Sequence, residues 1–291
     1  WQTQNPDKFT SIYYHVNWPS PGNDPMYAAN PTDASARVSY YQVTYVPFSN
    51  LDGNYYNGSA QGWNMNSVNA RWAMPSPFEV QVRHQLSAGQ DSVYSTMLVK
   101  CTQDVSGDLV AHNVIIEKLI HFNSAPGTNG EKDFYDVMKK MLPTASGTAM
   151  PSSMAPGDYV LLEGSWKFGT VYDPTQIAAI GFIQDKSTKE VFQTANSTTD
   201  ALVMPYNNDL QVVDVENVTS PTCNSIVTPS AVVRNNGNNT VTSMTIKYRV
   251  NDGNLNTYTW NGSLATLQKA VIPLPAYSFN ILSQNTLTIY T

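Results

Sequence analysis

The chain has 291 residues, enough for two or three domains of roughly 100–150 residues each. Charged residues make up only 13%, with 16 basic against 22 acidic side chains and a net charge of -6. No Lys/Arg run of five or more occurs, which argues against a nucleic-acid partner, and no apolar run approaches the roughly 18 residues of a transmembrane segment. The hydrophobic fraction of 41% is ample for buried cores, so Asn, Ser, Thr, Gln, Gly and Tyr must cover the surface. That composition fits secreted β-proteins. The chain starts at Trp1 without Met and stops inside a strand-like run at residues 285–291, so both ends read as cut. Cys101 and Cys223 are the only cysteines, which excludes a disulfide framework or a Cys-rich metal site and leaves their pairing open.

Residues 9–16 (FTSIYYHV) are β-branched and aromatic and predict a buried strand. A short helix follows, with Thr32 as N-cap and Ala34, Val38 and Tyr41 at i, i+4, i+7. Residues 38–54 (VSYYQVTYVPFSNLDGN) read as the end of that helix, a Val46-Pro47 step into a strand, and an Asp52-Gly53-Asn54 hairpin turn. A weaker helix within 62–73 carries Trp63 and Trp72. Together these make an α/β unit over 1–73, too small for a whole domain.

From Pro75-Ser76-Pro77 the period changes to two. Residues 78–84, 92–102, 109–122, 158–168, 176–185 and 190–194 predict strands, and this spacing argues for a β-sandwich over 74–194. One helix interrupts it. Thr128-Asn129-Gly130-Glu131 matches a capping box, Phe134, Val137, Met138, Met141 and Leu142 follow at helical spacing, and Pro143 stops the run. Residues 195–208 read as a linker, and 209–291 as an immunoglobulin-like module with strands at 210–215, 226–233, 244–250, 257–260, 269–274 and 285–290. The expected fold is therefore mainly β and multi-domain.

Chemistry-bearing residues are sparse. His112 and His121 flank Glu117, but nine positions apart they fall on opposite strand faces, about 30 Å from each other, so one metal cannot take both. His15 and Trp18 follow the first strand at a position that leads toward a binding crevice in α/β folds. Asp33 and Asp52 stand near them without a nucleophile, base and orienting group. Asp104 with Asp108, and Asp252 with Asn254, suit turn-capping as well as calcium. No phosphate-cradling loop, Gly-x-Ser-x-Gly or His-Glu-x-x-His is present, and no cofactor is expected. Sequons at Asn57, Asn196, Asn217, Asn238 and Asn261 fall in predicted turns and linkers.

Several of these stretches carry a resemblance. Asn5-Pro6-Asp7-Lys8, His15-Val16-Asn17-Trp18-Pro19, the step at 40–47 and Asp52-Gly53-Asn54 resemble the second half of a thioredoxin-like domain in Bacteroidota secreted proteins related to the 28-kDa outer-membrane-protein family. Ala73-Met74-Pro75-Ser76-Pro77-Phe78, Gly127-Thr128-Asn129-Gly130-Glu131 and residues 180–193 resemble the β-sandwich that follows it, and 209–291 resembles a cell-adhesion-related Ig-like module. The resemblance implies a cis-proline at Val46-Pro47, a crevice near His15 and Trp18, and full-length relatives that end in a sorting domain for type IX secretion. It also implies a Cys-x-x-Cys helix start, which this chain lacks. The expected function is a secreted or cell-surface, outer-membrane-associated, non-catalytic binding or structural component, with the periplasm as the other location. Its partner would be a protein at the surface. The alternatives are a thioredoxin-type thiol-disulfide oxidoreductase whose Cys-x-x-Cys lies outside these residues, and a carbohydrate-binding accessory protein with a glycan partner.

Overall fold

The computed structural model describes residues 8–219 and 224–291. The chain is mainly β and divides into two compact units, Trp1–Leu202 and Val203–Thr291. The first unit opens with α1 (Pro25–Ala29), α2 (Pro31–Tyr41), the hairpin β1 (Phe48–Leu51) and β2 (Tyr56–Ser59), and α3 (Met65–Trp72). It continues through β3 (Phe78–Leu86), β4 (Ser92–Cys101), β5 (Val105–Ser106), β6 (Leu109–His121), β7 (Asp133–Leu142), β8 (Thr148–Ala149), β9 (Ser153–Met154), β10 (Tyr159–Lys167), β11 (Ile177–Asp185) and β12 (Val191–Thr198).

One sheet runs in the order β10-β4-β3-β12-β11-β6-β7, with β8 added on β6. β12 meets β3 in parallel only at Ser197–Val82 and Thr198–Arg83, and at this seam the sheet curls on itself. Gly181 shows how closely the layers approach. A Cβ there would stand 2.6 Å from Val82 Cγ2 and 2.9 Å from Met97 Sδ, so β11 faces β3 and β4 across the core. Alternation then sorts the side chains of β6 and β11. Ala111, Ile115, Ala179 and Ile183 point inward onto Val82 and Met97. Val114, Ile116, Ala178, Ile180 and Phe182 point outward, onto Ala34 and the half-buried Ile12, Tyr14 and Tyr27 of the N-terminal segment. Both strands are thus buried on two faces, and β11 is buried at every residue.

Residues 134–142 form a strand, not the expected helix. β7 pairs antiparallel with β6 from His121–Asp133 to Asn113–Leu142. The register shifts between Ile115, opposite Lys140, and Ile116, opposite Met138, leaving Lys139 as the extra residue of a bulge. The bulge buries Val137, Met138, Met141 and Leu142 despite their uneven spacing, and so imitates a helical period. The expected strand at 9–16 shrinks to one parallel bridge, Tyr13–Val137, where Tyr13 N donates to Asp136 O at 2.9 Å and Met138 N to Tyr13 O at 3.0 Å. That contact covers the free edge of β7. α2 is capped by Asn30 with Pro31 at its first turn, two residues ahead of Thr32. β12 runs on to Thr198, into the expected linker.

The second unit contains β13 (Leu210–Glu216), β14 (Ile226–Val227), β15 (Ser230–Asn235), β16 (Val241–Val250), β17 (Asn256–Leu264), β18 (Lys269–Pro273), β19 (Tyr277–Ser278) and β20 (Leu287–Tyr290). Two three-stranded sheets, β13-β15-β18 and β17-β16-β20, enclose Ala231, Val233, Met244, Ile246 and Ile272. β16 alternates cleanly from Met244, with Met244, Ile246, Tyr248 and Val250 buried. The Asn-rich turn after β15 is held by buried Asn235, whose Nδ2 donates to Asn239 O at 2.8 Å and Leu264 O at 2.9 Å. Asn57, Asn196 and Asn261 lie within β2, β12 and β17, so those sequons sit in strands rather than turns.

Candidate functional site: a cleft under the N-terminal segment

The N-terminal segment is fastened to the outer face of the β6–β11 layer by a few polar anchors. Asn30 caps α2 and also donates from Nδ2 to Lys139 O at 2.9 Å. Buried Asp33 Oδ2 accepts from Asn30 Nδ2 at 2.7 Å, Lys140 Nζ at 2.9 Å and Met141 N at 3.0 Å. The N-terminus of α2 is thereby tied to the bulged part of β7. At its other end, Lys189 Nζ donates to Tyr40 O at 2.8 Å, a cation on helix carbonyls.

The β1–β2 hairpin is fastened separately. Gly53 has φ +77, and a Cβ there would collide with the Lys189 carbonyl, so only glycine fits the tip. Arg71 of α3 reaches three groups: Asp52 Oδ2 at 2.8 Å, Glu190 Oε1 at 2.9 Å and Val191 O at 2.6 Å. Burial pushes the Asp52 carboxyl up, and the Arg71 hydrogen bond and charge oppose that rise.

Between these anchors lies a cleft of about 680 Å³. Its lining includes Phe9, Tyr14, Tyr41, Trp63, Trp72 and Phe182. Trp63 stacks on Phe9 with ring centroids 5.8 Å apart, and Trp72, 57% exposed, lies under Lys8 Nζ at 4.2 Å. Among the described residues, four buried polar atoms on the cleft lining have no hydrogen-bond partner: Tyr14 Oη, Arg37 Nε, Asn50 Oδ1 and Trp63 Nε1. Burial pushes the Tyr14 hydroxyl up to about 12, with the Arg37 charge opposing. The two groups thus act on each other electrostatically, although the Tyr14 hydroxyl makes no hydrogen bond of good geometry. Arg37 donates from Nη2 to Tyr41 Oη at 3.0 Å and Gln184 Oε1 at 3.4 Å. Its guanidinium lies 4.8 Å from the rings of both Tyr40 and Tyr41. Phe182 separates it from His112, which stacks on that ring at 4.7 Å. Burial, and then the Arg37 charge, lower the His112 pKa to about 3, so the imidazole is neutral.

The expected site residues fall around this cleft unevenly. Val46 lines it, while Pro47 is exposed and outside the lining. The Val46-Pro47 peptide is cis, as are Trp18-Pro19, Ser20-Pro21 and Leu142-Pro143. Tyr14 and Val16 line the cleft, but His15 between them turns away to Asp24, with Nδ1 and Oδ2 2.8 Å apart, and meets Phe134 edge-on at 5.7 Å. Burial alone would raise the Asp24 carboxyl, but His15 and the N–H groups of Tyr27 and Met26 outweigh it and hold it low. Trp18 is half-buried and outside the lining.

His112 and His121 are not brought together: the first is buried, and the exposed second pairs with Asp133 at 2.6 Å. Glu117 is buried instead beside Lys139 at 3.1 Å, outside hydrogen-bond geometry. Its other oxygen accepts from Tyr172 N at 2.9 Å and Asp173 N at 2.6 Å. Among the described residues no group of three or more His, Cys, Asp or Glu is placed to hold a metal. Cys101 is buried in β4 within the inner core, its thiol pushed up by burial and its Sγ donating to Gln103 O at 2.9 Å, whereas Pro47 is exposed. Cys223 with its Ser220-Pro221-Thr222 turn, and Asn5-Pro6-Asp7, lie outside the described residues.

Sequence reasoning missed Tyr14, Arg37, Asn50 and Arg71. One signal was available: Arg37 stands in the Ala34–Tyr41 stripe of α2, where an apolar residue would be expected.

Neither a protein-family model nor a curated protein matches the chain. Among solved structures, the chain is similar to a crystal structure of red sea bream transglutaminase, with a TM-score of 0.22 and 10% identity over 80% of this chain and 32% of that one. The chain therefore spans about a third of that protein's length, and so low a score carries no argument about fold or activity.

Proposed function

We propose that this chain is a secreted or cell-surface, non-catalytic binding component that holds a small polar ligand of glycan type in the cleft under its N-terminal segment. One observation carries the reading: Tyr14, Arg37, Asn50 and Trp63, each with a buried polar atom that has no hydrogen-bond partner among the described residues, all line one aromatic-walled space of about 680 Å³. Small-ligand sites are commonly about 300–1,000 Å³, mostly apolar, with a few convergent polar groups. A buried polar atom left unpaired costs about 1–3 kcal/mol, so a ligand that completes these atoms has a thermodynamic reason to bind.

The same features favour a glycan over a flat protein surface. Sugar rings present apolar faces to Trp and Tyr, and their hydroxyls serve as both donors and acceptors. Trp63 and Trp72 both stand in this cleft. Secretion, outer-membrane association and type IX export are supported by the resemblance to secreted Bacteroidota proteins and by the weakly charged, Asn- and Ser-rich composition.

A glycan array followed by calorimetry on the hits tests the reading. Saturable one-site binding that falls at least tenfold in both Trp63→Ala and Trp72→Ala is the expected result. Hits whose affinity is indifferent to both substitutions would place the binding surface elsewhere and end the cleft reading.

A further inference from the structure

We propose that the cleft takes a ring-bearing carboxylate, its carboxylate group seated on Arg37; this deepens the binding reading above and depends on it. Arg37 is 5% exposed, so a full positive charge is buried at the cleft wall. Its hydrogen-bond partners, Tyr41 Oη and Gln184 Oε1, are neutral, and both are bound through Nη2. The Nε–H is unpartnered. The nearest acidic residue on the same helix, Asp33, is committed to Lys140, Met141 N and Asn30.

The neighbouring cations differ. Arg71, in the same cleft, holds Asp52 and Glu190, and buried Lys139 has Glu117. A buried ion without a counter-charge is strongly unfavourable, and aromatic rings recover only part of that. An anion from outside supplies the counter-charge that no described residue brings to Arg37.

The remaining free groups narrow the class. Unpaired among the described residues, Arg37 Nε–H and Trp63 Nε1–H are donors, Asn50 Oδ1 is an acceptor, and the Tyr14 hydroxyl can serve as either. A ligand rich in acceptors, with at least one hydroxyl to give, matches that set. The Tyr14 hydroxyl, on which the Arg37 charge acts, can donate to a second carboxylate oxygen while Arg37 Nε–H serves the first. A ring body then has the stacked Phe9–Trp63 pair and Phe182 to lie against. Sugar acids and aromatic carboxylic acids share this chemistry.

The test titrates the intact protein with glucuronate and benzoate, and with methyl glucoside and methyl benzoate as uncharged counterparts, by calorimetry and tryptophan fluorescence. We expect one carboxylate to bind at a single site at least tenfold more tightly than its uncharged counterpart. Arg37→Met should weaken it thirtyfold or more and Arg37→Lys should weaken it less. Because Arg37 also touches Tyr41 and Gln184, Asn50→Asp is the second variant. It sets a negative charge in the cleft without disturbing α2, and should weaken the carboxylate at least tenfold more than it weakens the uncharged probe. Glucuronate prevailing identifies a sugar acid, and benzoate prevailing an aromatic acid. Equal affinity for charged and uncharged probes would overturn the carboxylate inference and leave the binding reading standing. Failure of all four probes, with glycan-array binding that still depends on Trp63, would do the same. Failure of the probes together with loss of Trp63 dependence would overturn both.

Discussion

The two faces of the β6–β11 layer are built from the same strands and finished in opposite ways. On the inner face buried Ser95 Oγ donates to buried Asn113 Oδ1 at 3.0 Å, amid Ile115, Ile183 and Met97, and Glu117, two residues beyond Ile115, meets Lys139 by charge alone at 3.1 Å. On the outer face Tyr14 Oη, Arg37 Nε and His112 Nδ1 are buried without partners. The outer face carries an electrostatic deficit of the kind that structures tolerate at sites reserved for something else. The contrast teaches that burial alone does not mark the core here: buried Lys139 has a carboxylate beside it, and buried Arg37 has none among the described residues.

Substitutions on each face break or sharpen that contrast. The largest effect belongs to Ile115→Ala on the inner face, which should cost about 2–5 kcal/mol in urea unfolding, because a fully buried side chain leaves a cavity that close packing cannot refill. Ser95→Ala should cost about 1–3 kcal/mol, since it strands the Asn113 oxygen; a neutral result would show that the inner face is not balanced after all.

Acid should act on the outer face. The unfolded His112 titrates near 6.5 and the folded one near 3, so between those values the unfolded chain binds the extra proton and stability falls as pH falls. The expected slope from this residue is at most about 1.4 kcal/mol per pH unit. It should be read between pH 6.5 and 5, above most carboxylate titrations, as the difference between wild type and His112→Phe. Parallel slopes in the two proteins would remove His112 from the account. Arg37→Met should have the smallest effect on stability, within about 0.5 kcal/mol of zero or slightly favourable, because an apolar side chain of similar length replaces an uncompensated charge. A loss of 3 kcal/mol or more would mean that the guanidinium is already satisfied in the free protein.

The strands were legible in the sequence wherever the apolar period was simple. β4, β6, β10 and β11 fall close to their expected limits because each alternates or runs continuously apolar. β7 was misread because its bulge at Lys139 makes a period-two strand imitate a helix, and a bulge is set by pairing with β6, not by local residues. Residues 9–16 have the composition of a strand but make one bridge only, Tyr13–Val137, at the edge of β7. The cleft was harder to see. Val46 was found through the Val-Pro step, but Tyr14, Arg37, Asn50 and Trp63 meet only after the segment folds over the sheet. Such tertiary convergence leaves no spacing rule in the chain. His15 was chosen for its chemistry, and its tie to Asp24 at the start of α1 makes it an anchor of the segment.

The Arg71 fork has a dynamic consequence. One guanidinium binds the hairpin at Asp52 and the β11–β12 turn at Glu190 and Val191, segments that are otherwise far apart in the chain. Val191 N also donates to Asp52 O at 3.1 Å, closing the loop between them. The rim of the cleft therefore breathes as one cooperative unit, and the amides of β2 and of the start of β12 should exchange with solvent through a common opening.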